Sequence, residues 1–531
     1  RTHQLMSWIL FFFVGVVTAC VAFFIDFFVK QLMKVKFDYL VKSVNECQEH
    51  GCLALSLVYF LCFNCGFVLI ATSLTALAPV AAGSGIPEIK CYLNGIKLPG
   101  VTDLLTMVAK AVGVLFSVSG GMFVGKEGPM IHSGAIVGAG LTQGQSSNLS
   151  WLRTNFLRRF RNDRDKRDFV SGGAAAGVAA AFGAPIGGVL FSLEEGASFW
   201  NQSLTWKSLF CSMSSAFILN LLVSGIQLHA WGQLDATGLV NFGKFNSEGS
   251  HLWNVVDLAF FLVMGAVGGL LGALFNEMNK RLTIYRMKHV KTRGKRVAEA
   301  LLVSAVGTCL VFVLAMTMGK RPPKSYLAET RTGTCRSLTA EDLNKEFVKD
   351  ARGFFCGENE YNDMATLALN PQEVSIKTMF HMDGTFSEKT LFCFFLMYLV
   401  IACWTYGVSI PSGLFVPCLV TGAAYGRLVG ALLRMWLGDY TATNLGTYAL
   451  IGAASFLGGV VRMTISLTVI LIESTDEITL GLPLMVTLMA AKFMGDLFNE
   501  GLYDIHIELK HIPLLGWEPS VVSVSGRHGG F

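Results

Sequence analysis

Two adjacent charges in an apolar part of the chain are the first residues whose types could do chemistry. Lys126 and Glu127 lie in the segment FVGKEGPMIH (123–132), next to glycines and with apolar or small residues on both flanks. In a surface loop these charges would be ordinary. Within a membrane they are expensive to bury and therefore indicate function. A carboxylate in such a place can imitate a bound anion and can be neutralised by a proton.

The composition indicates which solvent surrounds this segment. The chain has 531 residues, of which 52% are hydrophobic and 15% charged, and its mean hydropathy is +0.52. Soluble proteins average roughly 25% charged residues, and several apolar runs reach the ~20 residues that cross a bilayer as a helix. These runs are 8–29, 53–82, 106–124, 206–224, 255–275, 298–318, 390–404 and 447–472. We therefore predict an all-α polytopic membrane protein, in which the runs broken by Gly and Pro form interrupted or re-entrant helices.

Charged segments predict how the chain is oriented in the membrane. The segments 151–168 and 286–296 contain seven and six Lys or Arg residues, and loops this basic stay in the cytosol. The long polar segment 320–388 follows the next apolar run. It is therefore expected on the opposite, luminal side.

Four cysteines lie in polar sequence and are candidates for disulfides. Cys335 and Cys356 belong to the predicted luminal segment, where an oxidising compartment favours their pairing. Cys47 and Cys52, in the stretch NECQEHGC, are a second candidate pair. The other cysteines mostly lie in apolar runs and are expected to be small buried hydrophobic residues.

Several function classes are disfavoured by the sequence. It contains no basic soluble domain with interleaved aromatic residues, which disfavours nucleic-acid binding. The ten histidines lack metal-ligand spacing, and neither a Walker loop nor a dinucleotide fingerprint occurs. We therefore expect no metal, no cofactor, and a membrane transporter in place of an enzyme.

An internal repeat relates two parts of the chain. Shifted by 288 residues, GKEGPMIHSGAIVGAG (125–140) falls on GLFVPCLVTGAAYGRL (413–428), with matching Gly and Pro positions. Shifted by 279 residues, the small-residue segment 173–195 falls on 452–474. Because the two matches occur in the same order with nearly the same shift, they indicate the duplicated halves from which many transporters are built.

Each repeat contains a G-x-x-x-P element that predicts the start of a helix. Pro is favoured in a first helical turn and Gly allows a sharp approach, so free N–H groups and the positive dipole end point out of both helices. Two such starts that meet at mid-membrane would form an anion site. GSGIPEIK (83–90), with the Ser84 hydroxyl, is a third start, and Tyr503 in EGLYDIHI is a further donor.

Four short motifs also resemble those of a known family. In chain order, GSGIPEIK, GKEGP, GLFVP and GLYDIHI resemble the signature elements of the CLC chloride channels and chloride/proton exchangers. Longer segments look most like the late-endosomal and lysosomal branch, with the sixth vertebrate member most similar and the seventh next. The resemblance implies a CLC fold with two inverted-topology helical repeats. It places the transmembrane domain at 1–505, the repeats at about 50–225 and 255–500, the luminal loop at 320–388, and the start of a cytosolic tail, without CBS domains, at 506–531.

The resemblance implies roles for individual residues. Glu127 is the expected gating glutamate, whose carboxylate competes with chloride for the outer anion position. Glu195, the second Glu of LFSLEE, is the expected inner proton acceptor. The remaining expected ligands hold the central chloride through hydroxyl or backbone N–H groups, and they are Ser84, Gly85, Ile86, Leu414, Phe415 and Tyr503.

Each of these assignments has a structural alternative. Glu195 could cap a helix end or pair with an arginine, Ser84 could serve a turn, and Tyr503 could lie at the membrane interface. Glu194 is expected to be structural, and Lys126 is interpreted as local charge compensation.

Two carboxylates favour one function over its main rival. The presence of both Glu127 and Glu195 favours a secondary active chloride/proton antiporter, because the family's channels lack the inner carboxyl. The alternative is a passive chloride channel with the same anion path. The resemblance further implies a homodimer in the lipid bilayer of late endosomes or lysosomes, with cytosolic termini and chloride and protons as substrates. By analogy with the seventh vertebrate member of the family, an accessory subunit is also a candidate partner.

Overall fold

The computed structural model describes most of the chain. The described residues are 2–50, 52–143, 159–196, 200–227, 229, 231–232, 239, 242–243, 252–318, 335–337, 351–354, 356, 360–382, 386–437 and 444–514. Parts of three predicted segments lie outside them, namely 151–158 of the first basic loop, 320–334, 338–350, 355, 357–359 and 383–385 of the luminal loop, and 515–531 of the tail.

Helices account for nearly all of the described structure. In chain order they are α1 (Thr2–His50), α2 (Leu53–Leu77), α3 (Ile86–Leu93), α4 (Leu104–Ser119), α5 (Glu127–Gln143), α6 (Asp163–Phe182), α7 (Pro185–Phe191), α8 (Gln202–Leu222), α9 (Val255–His289), α10 (Arg293–Met318), α11 (Asp363–Ala368), α12 (Gln372–His381), α13 (Glu388–Thr405), α14 (Phe415–Leu437), α15 (Leu445–Val461), α16 (Ile465–Thr475), α17 (Gly481–Asp496) and α18 (Leu502–Leu509). The strands β1 (Cys335–Ser337) and β2 (Glu360–Asn362) pair antiparallel.

The helices fall into two length classes. Among the described residues, eight helical segments are long and apolar enough to cross a membrane. Others are much shorter: α7 has 7 residues and α3 has 8, which at about 1.5 Å per residue is far less than a bilayer of ~30 Å. This combination confirms the predicted all-α polytopic membrane fold with interrupted helices.

The repeat found in the sequence is visible in how the helices pack. A methyl group at Gly134 of α5 would lie 2.3 Å from the carbonyl oxygen of Gly173 in α6. A methyl group at Gly422 of α14 would lie 2.5 Å from the carbonyl oxygen of Gly452 in α15. Because equivalent glycines make equivalent backbone contacts, both helix pairs depend on the same small-residue packing.

The two copies approach each other in opposite directions. Gly125, just before α5, and Gly413, just before α14, form an isolated antiparallel bridge. Since these glycines are equivalent in the repeat, the two helix starts run antiparallel where they meet. This is the arrangement that an inverted repeat requires.

Two equivalent carboxylates also join the copies. Glu194, which follows α7, accepts hydrogen bonds from the amides of Thr464 and Ser466 at the start of α16, both at 2.8 Å. Glu473, at the end of α16, accepts a hydrogen bond of 2.8 Å from the amide of Gly187 at the start of α7. Each short helix thus caps the amides of the other, which agrees with the expectation that Glu194 is structural.

One disulfide crosslinks the described part of the luminal segment, and a second lies at the end of α1. Cys335 on β1 is joined to Cys356 by a disulfide, and a second disulfide joins Cys47 to Cys52 at the end of α1. The helices α11 and α12 follow β2 and bring residues 370–374 towards the start of α5. These residues therefore lie close to Glu127.

Candidate functional site

Three helix starts are fastened side by side by backbone hydrogen bonds. Gly125 and Gly413 exchange two bonds, with N···O distances of 2.9 and 2.8 Å. The amide of Gly83 donates to the carbonyl oxygen of Ile410 at 2.8 Å, and the amide of Ser412 donates back to Gly83 at 3.3 Å. The first turns of α3, α5 and α14 are therefore brought to one place within the protein.

Glycines make this approach possible. Gly85 precedes α3 with a φ of +84°, in the left-handed region that favours glycine. A methyl group at Gly128 would lie 2.9 Å from the Cβ atom of Ser84 and 3.4 Å from the Cα atom of Gly413. The glycines of the two predicted motifs thus serve the close contact between helix starts.

Glu127 is fully buried where the helix starts meet. Its side chain turns back over its own helix start, because a methyl group at Gly125 would lie 2.0 Å from the Oε2 atom of Glu127. Neither carboxylate oxygen has a hydrogen-bond partner among the described residues. The amides of Lys126 and Glu127 nevertheless interact with it electrostatically. The carboxylate thus occupies a position that backbone N–H groups make suitable for an anion.

Lys126 is neutralised by carboxylates other than Glu127. Its Nζ atom lies 2.6 Å from the Oδ1 atom of Asp26 and 2.7 Å from the Oε1 atom of Glu373. Asp26 also pairs with Lys30 at 2.8 Å. The predicted charge compensation therefore takes place around Lys126 and leaves Glu127 without a cation bonded to it in the described structure.

The predicted chloride ligands lie at the starts of three helices, α3, α14 and α18. Ser84, Ile86, Leu414 and Phe415 are all buried, and the Ser84 Oγ atom accepts a hydrogen bond of 3.4 Å from the amide of Ile86. Leu414 and Phe415 lie at the start of α14, where first-turn amides have no acceptor within their own helix. These groups can donate to an anion placed between α3 and α14.

Tyr503, on α18, is close enough to both predicted glutamates to interact with them electrostatically. Its side chain is buried, and its hydroxyl has no hydrogen-bond partner among the described residues. The phenol interacts electrostatically with both Glu127 and Glu195. A buried hydroxyl without a partner is costly, so an anion accepting from Tyr503 would relieve this cost.

Glu195 lies closer to the surface and has a cation beside it. It belongs to a short turn that continues α7, and its side chain is 11% exposed. Lys90 lies 3.4 Å from the Oε2 atom of Glu195 and 2.7 Å from the Oδ1 atom of Asp504. Of the alternatives considered, the capping role belongs to the neighbouring Glu194, whereas Glu195 pairs with a lysine.

Two cavities reach this centre from different surfaces. The outer cavity, of about 280 Å³, is lined by Glu127 and by residues 370–374 of the predicted luminal segment. The inner cavity, of about 550 Å³, is lined by Ser84 and by Arg286 and Arg296 of the second basic segment. Of the predicted site residues, Glu127 thus lines the outer cavity and Ser84 lines the inner one.

Five residues of the site are not among the predicted ones, namely Asp26, Glu373, Lys90, Asp504 and Tyr406. Asp26 is an acid within the apolar run 8–29, which by itself indicates a functional or paired charge. Lys90 and Asp504 lie inside two of the predicted motifs. For Glu373 and Tyr406 the sequence carries no comparable signal.

Comparison with known proteins places the chain in a family. Residues 66–496 match the family described as Voltage gated chloride channel. H(+)/Cl(-) exchange transporter 7 of Bos taurus is 46% identical over 527 residues, which cover 99% of this chain and 62% of that protein. The same transporter of Homo sapiens is 45% identical, covering 99% and 63%. The chain thus spans less than two thirds of these relatives, and they do not bear out the expectation that the sixth member is the most similar.

Solved structures share the fold. A eukaryotic CLC transporter superimposes with a TM-score of 0.68 at 24% identity, covering 96% of this chain and 75% of that one. A slow cyanobacterial Cl⁻/H⁺ antiporter superimposes with a TM-score of 0.69 at 19% identity, covering 95% and 97%. The motifs, the helix starts and the matches to known proteins agree, and they show that the chain belongs to the Voltage gated chloride channel family.

Proposed function

We propose that this protein exchanges chloride for protons across a membrane. The observation that carries the proposal is the Glu127 carboxylate, which is buried without a hydrogen bond to a described residue and lines the outer cavity. It occupies a place where N–H groups favour negative charge. A chloride ion and this carboxylate therefore compete for the same donors.

Competition of this kind couples the two ions. When Glu127 takes up a proton, its charge disappears, so it no longer competes and chloride moves into its place. When chloride leaves, the deprotonated carboxylate returns and closes the path. Ser84, Tyr503 and the first-turn amides of α14 hold the anion on the inner side. Each cycle then carries chloride one way and protons the other.

The inner proton step is assigned to Glu195. It is partly exposed on the inner side, and Tyr503 interacts electrostatically with it and with Glu127. A proton that arrives from the inner solvent needs an ionisable group on the way to Glu127, and Glu195 is such a group. The presence of this carboxylate favours the exchanger over the passive channel.

Transport in liposomes tests the proposal. A chloride gradient imposed on vesicles containing the purified protein is expected to drive protons against their own gradient, read with an internal pH dye. The reversal potential should depend on both the chloride and the pH gradient. A reversal potential that follows chloride alone would identify a channel instead.

The orientation proposed for the termini rests on contacts at both ends. Near the N-terminus, His3 lies 3.8 Å from Asp165 of the first basic segment and stacks on Phe160. Near the C-terminus, Lys510 lines the inner cavity and contacts Glu88. His3 and Lys510 thus lie on the side of the basic segments, which we assign to the cytosol. With the resemblance to the late-endosomal and lysosomal branch, this supports a location in those organelles with the outer cavity facing the lumen.

The homodimer is proposed from the surface of the short helices. Ile186 on α7 and Ile465 on α16 are 54% and 60% exposed, although these helices are too short to cross a bilayer. Short helices with a carboxylate at their ends are tolerated at membrane depth only where protein covers them. A second copy of this chain provides that cover. Subunit counting by photobleaching of labelled protein in liposomes should give two copies, and single steps only would contradict the dimer.

A further inference from the structure

Tyr406 presents a third hydroxyl to the inner end of the proposed anion path. We propose that its O–H group contacts the transported anion directly, together with Ser84 and Tyr503, and so helps to set anion affinity. The inference rests on the proposed function, because it assigns a further ligand to the same anion site. It names a residue from the end of α13, an element that supplies none of the predicted ligands.

The position of Tyr406 supports this assignment. The residue follows α13, is 5% exposed and lines the same cavity as Ser84. Its side chain interacts with the Ser84 side chain and electrostatically with Tyr503. Tyr503 in turn carries a buried hydroxyl without a hydrogen-bond partner among the described residues. Three hydroxyl side chains from three separate elements therefore converge, and one of them is left with an unused donor.

The backbone of Tyr406 is held firmly. Its carbonyl oxygen accepts from the Nδ2 atom of Asn279 at 3.0 Å and from the Nη1 atom of Arg286 at 2.8 Å, while its amide donates to Ala402 at 3.0 Å. The ring of His506 meets the tyrosine ring edge-on, with 5.3 Å between the centroids. A donor fixed in this way loses little freedom when it binds, which is the property that a ligand-binding group needs.

A phenol suits this position chemically. An anion that leaves the wide inner cavity for the buried centre loses its hydration shell, and neutral O–H donors replace the lost hydrogen bonds. When the site is empty, the Tyr406 hydroxyl can turn to Ser84. When an anion is present, the same hydroxyl can donate to it. The ligand class is a small monovalent anion, with chloride as the probe.

Replacement of the hydroxyl alone tests the inference. We expect Tyr406→Phe to weaken chloride binding by about three- to tenfold, the range of a lost neutral hydrogen bond, in titration calorimetry of the purified full chain. The control is Tyr398→Phe, a buried tyrosine of α13 that packs between Phe123 and Phe394. It should bind chloride as the wild type does. Unchanged chloride affinity in the Tyr406→Phe protein would overturn the inference.

A second comparison separates contact with the anion from orientation of Ser84. If Tyr406 acts only by holding Ser84 in place, the Ser84→Ala protein and the Ser84→Ala/Tyr406→Phe protein should bind chloride with the same affinity. That result would refute direct contact between Tyr406 and the anion. A further loss of chloride affinity in the double variant supports it. Liposome flux of the wild type distinguishes failure of the proposed function itself, since a wild type that binds chloride but drives no protons would reject exchange and leave the binding result standing.

Discussion

The outer and inner sides of the site each contain a lysine that contacts two carboxylates. The outer lysine does not pair with Glu127, whereas the inner lysine pairs with Glu195. On the outer side, Lys126 contacts Asp26 and Glu373 at 2.6 and 2.7 Å, and Glu127 receives no ion pair from it. Lys126 and Asp26 are almost completely buried. The outer glutamate is thus left with little to hold it in place beyond backbone amides.

On the inner side, Glu195 is itself one of the two carboxylates that contact the lysine. Lys90 contacts Asp504 at 2.7 Å and Glu195 at 3.4 Å, and all three side chains are partly exposed. An ion pair with a buried cation would hold a carboxylate in place and so oppose its movement. A carboxylate that only exchanges protons with solvent does not need to move, so an ion pair with a partly exposed lysine does not impair it. Under the proposed exchange mechanism, this difference predicts that Glu127 moves whereas Glu195 stays in place.

The largest effect is expected from neutralising the outer glutamate. Glu127→Gln keeps the shape of the side chain but removes its charge and its proton. Proton flux in liposomes should fall by about 100-fold or more, as expected on loss of an acid–base group, while chloride flux persists. Glu373→Gln is the matched control from the outer cluster. Continued uphill proton movement in the Glu127→Gln protein would reject the role of Glu127.

Neutralising the inner glutamate should be nearly as severe for protons. In Glu195→Gln, Lys90 keeps Asp504 as a partner, so the local structure should survive. Chloride should still cross the vesicle membrane, while chloride-driven proton movement stops. The measurement is the reversal potential against an imposed pH gradient. A proton/chloride ratio equal to that of the wild type would show that the inner proton path avoids this residue.

Replacing each lysine in turn compares how much the two clusters contribute to the free energy of unfolding. Lys126→Met leaves Asp26 buried beside Glu373 with one cation fewer, and breaking a buried pair costs about 3–5 kcal/mol. Lys90→Met affects a partly exposed cluster, so its loss in the free energy of unfolding should be clearly smaller. Thermal unfolding in detergent, followed by fluorescence, ranks the two variants. Equal losses would contradict the distinction between a buried and a hydrated cluster.

The smallest effect is expected from the neighbouring carboxylate Glu194. Glu194→Ala and Glu473→Ala each remove a cap from a short helix and should cost about 1 kcal/mol each. The proton/chloride ratio should remain that of the wild type in Glu473→Ala. The unfolding temperature should drop further in Glu194→Ala than in Glu473→Ala, because Glu194 accepts four hydrogen bonds and Glu473 accepts two. An equal or larger drop in Glu473→Ala would contradict this ranking.

Much of the centre could be predicted because its signals are local. Gly125, Pro129 and their equivalents specify helix starts from sequence alone, and the repeat shifts align Gly134 with Gly422, which make the same packing contact. Glu127 stands out as a charge in apolar surroundings. These features depend on residue type and short spacing, which a single sequence contains.

The partners of the lysines could not be predicted, since they depend on long-range packing. Asp26 is separated from Lys126 by 100 positions, and Lys90 meets Asp504 across 414 positions. Tyr406 and Ser84 line one cavity although they belong to distant parts of the chain, and Asn279 and Arg286 bind the backbone of Tyr406 from a third part. Contacts of this kind arise when helices pack, and spacing along the chain does not encode them.

The exchange of caps between Glu194 and Glu473 has a consequence for how the chain is put together. Neither half can satisfy the first amides of its own short helix, because the carboxylate that does so comes from the other half. The N-terminal half must therefore wait for α16 to be synthesised before α7 is complete. The two halves of the repeat are therefore complete only as a pair, and we expect neither to reach its full structure without the other.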